Sequence, residues 1–229
     1  MYRFLALTVN ECQLARLHSL LYTTRMEETT RSQLKAWLGS GSINIFGRPF
    51  AGKDTQGEKL AKLFGAALLG GGDILRGSEI SERVKAIMRA GELIPTDDYI
   101  SIVLPYLSQP SLAGQPLILS SVGRWHGEEA GVMEVTDAAG HPVKAVIYLS
   151  LNEANVRERW RRSHATNDRG ARHDDTEEVL EIRLREYREK TLPVIEYYRS
   201  LGLLIEIDGS KSPDEVHSLI IDALVARAR

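Results

Sequence analysis

The chain has one cysteine, Cys12. This excludes an intramolecular disulfide and a cysteine-based zinc site, and it fits a reducing compartment. No apolar run approaches the roughly 18 residues of a membrane span. The run Phe4-Leu5-Ala6-Leu7 is too brief for a secretory signal core, and polar Asn10 and Glu11 follow it. A cytoplasmic location with no membrane contact is therefore expected. Positive charge is not in surplus: 29 Lys+Arg stand against 31 Asp+Glu, a net −2, so the global basic field of a nucleic-acid binder is missing. Internal repeats are also missing. What remains is ordinary core-forming capacity, 43% hydrophobic and 26% charged residues over 229 positions, which suits one main domain with small inserts.

The stretch Gly47-Arg48-Pro49-Phe50-Ala51-Gly52-Lys53-Asp54-Thr55-Gln56 organises the rest. It lies between an apolar run (Ile43, Ile45, Phe46) and a segment, Lys53 to Phe64, with Leu60, Leu63 and Phe64 on one helical face. Strand, glycine turn and helix start together supply the convergent N–H donors and the cation that polyphosphate needs, with Lys53 as the cation. The spacing G-x-x-x-x-G-K is met by Gly47, Gly52 and Lys53, but Asp54 follows the lysine and the hydroxyl arrives one place later at Thr55. A plain strand-to-helix turn is the alternative.

Around this loop the pattern alternates. Residues 1–40 read as a helical extension, with one helix through Leu14, Leu17, Leu20 and Leu21 and a second through Leu34, Trp37 and Leu38 ending at Gly39; Met26 is an alternative start. Gly65 ends the helix after the loop, and Ala66 to Leu69 suggest a short strand. At Gly70-Gly71-Gly72 either a flat ligand lies against bare backbone or a flexible loop is capped by Asp73. Helices are expected over Ser81 to Ala90 and, capped by Thr96 or Asp97, on to Leu107; Pro116 to Leu119 and Val143 to Leu149 read as buried parallel strands. Asn152 caps the next helix, which carries Arg157, Arg159, Arg161 and Arg162. The polar stretch Ser163 to His173 reads as a lid. Asp175 and Glu178 form a capping-box pattern, and the helix after it kinks near Pro193. Leu203 to Ile207 is a last strand and Pro213 to Ala228 a closing helix. Alternating strands and helices behind a phosphate loop indicate a three-layer α/β fold with a mainly parallel sheet.

From Ile43 to Ala226 the chain resembles adenylate kinases and their nucleoside monophosphate kinase relatives. Gly47 to Gln56 looks like G-x-P-G-x-G-K-G-T-Q, Gly72 to Arg76 like T-G-D-x-L-R, and Gly91 to Pro95 like G-x-x-V-P. Leu119 to Arg124 looks like L-D-G-F-P-R, Arg172 to Asp175 like R-x-D-D, and Thr191 to Tyr198 like T-x-P-x-I-x-Y-Y. The resemblance implies a P-loop kinase fold with a five-stranded sheet over 41–229, an acceptor-binding helical insert near 70–100 and a short lid near 160–174. It implies a monomer that transfers the γ-phosphoryl of ATP, with Mg²⁺, to a nucleoside monophosphate, AMP first. ATP would be held by Gly47, Pro49, Ala51, Gly52, Lys53, Asp54, Thr55, Arg159 and Gly209. The acceptor would be held by Gly72, Arg76, Leu93, Ile94, Arg124, Glu128, Arg172 and Arg183. Lys53, Arg124, Arg159, Arg172 and Arg183 would carry catalysis by positioning and charge, since phosphoryl transfer leaves little covalent chemistry to the protein. Asp174 would pair with lid arginines, and Arg162 is a further lid candidate.

Two departures stand out. The L-D-G aspartate, which helps hold Mg²⁺ through water, is Ser120 here, leaving Asp73 and Thr55 as water-mediated metal candidates. Asp54 replaces a glycine, and its side chain is expected to point away from the nucleotide, since a carboxylate repels polyphosphate. Glu128 stands where adenylate kinases usually carry glutamine; when ionised it only accepts hydrogen bonds, which suits the N–H edge of guanine. A GMP or deoxynucleotide acceptor, or a nucleotide sensor without turnover, are the alternatives.

Overall fold

The computed structural model describes residues 28–166 and 176–229. The readings made on Cys12, the helix through Leu14 to Leu21, Met26, Arg172, Asp174 and Asp175 fall outside these residues. In chain order the elements are α1 (28–38), β1 (Ser42–Gly47), α2 (Lys53–Phe64), β2 (Ala67–Gly70), α3 (Gly71–Gly77), α4 (Glu82–Arg89) and α5 (Thr96–Leu107). After a 3₁₀ turn (Pro110–Leu112) come β3 (Leu117–Ser120), α6 (Glu128–Ala138), β4 (Val143–Ser150), α7 (Glu153–Thr166) and α8 (Glu177–Glu186). A π turn (Tyr187–Thr191), α9 (Leu192–Ser200), β5 (Leu204–Asp208) and α10 (Pro213–Arg227) complete the chain.

The strands form one five-stranded sheet in the order β2-β3-β1-β4-β5, with every pairing parallel. Strand side chains alternate between faces. Ile43, Ile45, Ile118, Ala145 and Ile147 pack with Leu60 of α2 and with Ile220 and Leu224 of α10. The intervening residues turn the other way. Leu117 and Leu119 meet Val103 and Leu107 of α5, while Phe46, Val146 and Tyr148 meet Val194, Ile195 and Tyr198 of α9. Helices on both faces make the three layers.

The register decides where β3 delivers its last side chain. Ser120 is the partner of Ile45, as Ile118 is of Ile43. Paired positions of parallel strands share a face, so Ser120 lies on the α2 side, beyond the buried part of the strand.

Several local expectations are revised. The second N-terminal helix is no appendage, since Leu34 and Leu38, each 1% exposed, belong to the main core. Gly71 and Gly72 start α3 instead of forming a loop capped by Asp73, and Gly70 is the N-cap. A Cβ on Gly71 would lie 3.0 Å from the Tyr99 hydroxyl and 3.2 Å from the Ser121 carbonyl, so a side chain at this helix start would have to push its neighbours aside. Pro95, not Thr96 or Asp97, precedes the first residue of α5. The helix α7 continues through Ser163 to Thr166, which shortens the expected polar loop. Thr176 caps α8, its side chain accepting from the Val179 N–H. The expected kink is a π turn just before Pro193, which has no N–H to continue the ladder.

Candidate active site

The phosphate loop turns tightly against β4. A Cβ on Gly47 would lie 2.9 Å from the Leu149 carbonyl oxygen and 3.0 Å from the Ala51 Cβ, so a side chain there would push the loop off the sheet. Phe50 holds φ of 62°, a conformation costing a non-glycine residue roughly 1–2 kcal/mol. Its ring is only 8% exposed in the main core, and burying it contributes about 1.5–3 kcal/mol, which outweighs the strain. Gly52, at φ 91°, then launches α2 with Lys53 as its first residue. The Lys53 ammonium donates to the Gly47 and Arg48 carbonyls at 2.9 Å each, which keeps it inside the loop it serves.

A cavity of about 720 Å³ opens beside this loop. Gly47, Pro49, Lys53 and Asp54 form one wall, and Gly72, Asp73 and Arg76 of α3 form another. Leu93, Ile94, Ser120, Arg124, Glu128 and Arg183 complete it. The structure thus gathers residues expected at the donor and at the acceptor, spread over more than half the sequence, around one space. Asp73 and Arg76 pair with each other within it.

The segment carrying Arg124 is fixed by Glu128 and by two residues that the motifs did not point to, Asn44 and Tyr99. Asn44, fully buried in the middle of β1, donates from its amide to the Val122 carbonyl at 2.8 Å and accepts from the Val122 N–H at 3.4 Å. The buried Tyr99 hydroxyl accepts from the Gly123 N–H at 2.8 Å. Glu128, 3% exposed, accepts from the Trp125 N–H at 3.0 Å. A lone asparagine between Ile43 and Ile45 was the available signal, because a polar side chain in a buried strand must find partners. Glu186 plays a similar part from α8, accepting from the Leu93 N–H at 3.0 Å.

The charges suit an anion. Burial lowers the pKa of Arg124, and the neighbouring Arg183 lowers it further. A guanidinium stays protonated throughout, so Arg124 is a cation held with reduced hydration, and a phosphate in the cavity would offset that loss. Glu128 is pushed up to about 7, because burial outweighs the hydrogen bonds from the Trp125 and Arg124 backbone and from Thr96 that favour its charged form.

Arg159 lies elsewhere. Its guanidinium donates to the Phe50 carbonyl at 3.2 Å and to the Gly209 carbonyl at 2.6 Å, tying the phosphate loop to the turn after β5. With Ala51, Gly52, Thr55 and Gly209 it lines a second cavity of about 590 Å³. The phosphate loop is the wall between the two cavities. Thr55 faces the second, and Asp54 the first. Asp54 therefore does not turn away from the cavity, as charge repulsion suggested. It accepts a hydrogen bond from the Ser120 hydroxyl at 3.4 Å.

A family model for adenylate kinase matches residues 45–203. The chain belongs to the adenylate kinase family. It is 34% identical over 177 residues to an adenylate kinase of Parvibaculum lavamentivorans, covering 75% of this chain and 86% of that one. Against the adenylate kinase of Thermus thermophilus it is 33% identical over 189 residues, covering 80% and 96%. Against that of Dehalococcoides mccartyi it is 32% identical over 212 residues, covering 80% and 97%.

Proposed function

We propose that this protein is an adenylate kinase, transferring the γ-phosphoryl of ATP reversibly to AMP. The observation carrying this reading is that Lys53 of the phosphate loop lines one cavity together with Arg76, Arg124 and Arg183. Lys53 and the loop N–H groups hold the donor phosphates, with the start of α2 adding its dipole. Arg76 and Arg124 hold the acceptor phosphate, and Arg183 neutralises charge on the group in transit. Arg159 fastens the donor side through Gly209, and Arg172 would act with it from the lid. The protein's part is positioning and electrostatic stabilisation in a space from which water is expelled.

The donor set on the cavity wall fits Mg²⁺, which takes hard oxygen ligands and retains several waters. Asp54, Asp73 and Ser120 offer only oxygen. Among the described residues no group of three or more His, Cys, Asp or Glu could hold a metal ion alone, so ATP oxygens would supply much of the shell. When bound, the ion neutralises charge on the phosphates. No helix among the described residues is long and apolar enough to cross a membrane. A monomer working in the cytoplasm fits this picture.

Glu128 favours a second acceptor. Where ionised it accepts but does not donate, which suits the N1 and N2 edge of guanine; below about pH 7 it holds a proton and can also donate, as adenine requires. A coupled assay of ATP with AMP, GMP, CMP, UMP and the deoxy forms, using Lys53→Ala and Arg124→Ala as controls, tests the proposal. Turnover with AMP is expected; turnover with no acceptor despite ATP binding would make the protein a nucleotide sensor.

A further inference from the structure

The contact between Asp54 and Ser120 joins two neighbouring positions beside the loop lysine. In P-loop folds a hydroxyl just after that lysine and a carboxylate at the end of a neighbouring strand hold the metal. Here the hydroxyl of the loop stands one place later, at Thr55, and the carboxylate has moved from the strand end to the start of α2. Asp54 follows Lys53, and Ser120 ends β3 beside β1. The two side chains meet at 3.4 Å, on the wall of the cavity that also holds Lys53.

We propose that the pair is an exchanged metal-holding unit, in which α2 supplies the carboxylate and β3 the hydroxyl for the Mg²⁺ that accompanies ATP. This rests on the kinase reading above. The geometry supports it in three ways. The β-pleat puts the Ser120 side chain on the α2 face, within reach of Asp54. Thr55, the hydroxyl nearest in sequence, lines the other cavity and does not compete. Asp73, the other acidic candidate at this wall, is paired with Arg76. A carboxylate aimed at polyphosphate is unfavourable without a cation and favourable with one, and that difference of sign is what an experiment can read.

ATP binding, without an acceptor, would be measured by calorimetry in EDTA and again in saturating Mg²⁺, together with Mn²⁺ binding to the ATP complex by electron paramagnetic resonance. In Asp54→Asn, ATP should bind more tightly in EDTA, while the enhancement by Mg²⁺ and the affinity for Mn²⁺ fall about 10–100-fold. Asp54→Ser should lose the enhancement likewise, and Asp54→Ser combined with Ser120→Asp should recover it to within about threefold of the wild type. Melting curves of each variant separate misfolding from a binding defect, and Ser120→Ala, which keeps Asp54, should lower Mn²⁺ affinity more mildly. Equal changes with and without metal would mean that Asp54 serves only the helix terminus, and the proposal would be overturned. It is overturned equally if the exchanged variant is no better than Asp54→Ser. Wild-type protein that binds no ATP at all would remove the kinase reading itself, a result distinct from either.

Discussion

The Ser120 hydroxyl donates to the Asp54 carboxylate at 3.4 Å, linking the end of β3 to the first turn of α2 across 66 positions of sequence. The pair is solvent-exposed, so the bond contributes little to folding. Ser120→Ala should leave the melting temperature within about 2–4 °C of the wild type, read by circular dichroism. A larger loss would assign the contact to stability.

Arg124 and Arg159 stand on different cavities, and their variants should differ in kind. Arg124→Ala should lower kcat with AMP by about 10²–10³-fold, because in the proposed kinase its charge would serve the phosphates in transfer. Arg159→Ala should raise the KM for ATP more than that for AMP, since its bonds run to the phosphate loop and Gly209. Steady-state kinetics with each substrate varied in turn distinguishes the two.

Glu128 gives stability a pH dependence of known sign. Its folded pKa, about 7, lies above the ordinary 4.5, so between these values the folded chain keeps a proton that the unfolded chain releases. Stability therefore falls as pH rises through this window, by roughly 3 kcal/mol in all. Glu128→Gln should be increasingly more stable than the wild type from pH ~4.5 to ~7 and keep a constant advantage above it. Urea denaturation across this range provides the check. The same variant should shift acceptor preference towards AMP, because the amide both donates and accepts.

Asn44 holds the segment that positions Arg124. Asn44→Leu leaves the buried Val122 backbone groups without their amide partner and should cost about 1–3 kcal/mol. It should also depress kcat for the folded fraction. A variant as active as the wild type would show that the segment is held well enough by Tyr99 and Glu128.

The helix α1 belongs to the core. Leu38→Ala should cost about 2–5 kcal/mol in chemical denaturation, the range for a fully buried leucine, where removal of a mere appendage would cost nothing measurable.

Local chemistry made much of the protein legible. Compact apolar runs located the strands, and the boundaries of α2 followed directly from Lys53 and Gly65. Motif order pointed to Lys53, Arg76, Arg124 and Arg183, which the fold brings around one cavity. Less visible were the start of α3 at Gly71, the cap at Thr176 and the core role of α1, because each depends on what packs against the segment and not on its own residues. The same holds for Asn44, which reads in the sequence only as an interruption.

The sequence by itself determined that a strand, a phosphate loop and a helix follow one another at Gly47 to Gln56, since glycine conformations and apolar periodicity act over a few residues. Tertiary structure decided what that loop faces. Because β3 pairs with β1 out of chain order, Ser120 comes to stand beside Asp54, and because side chains alternate along a strand it stands on the same side of the sheet. Two departures from a motif, separate in the chain, thereby became one contact.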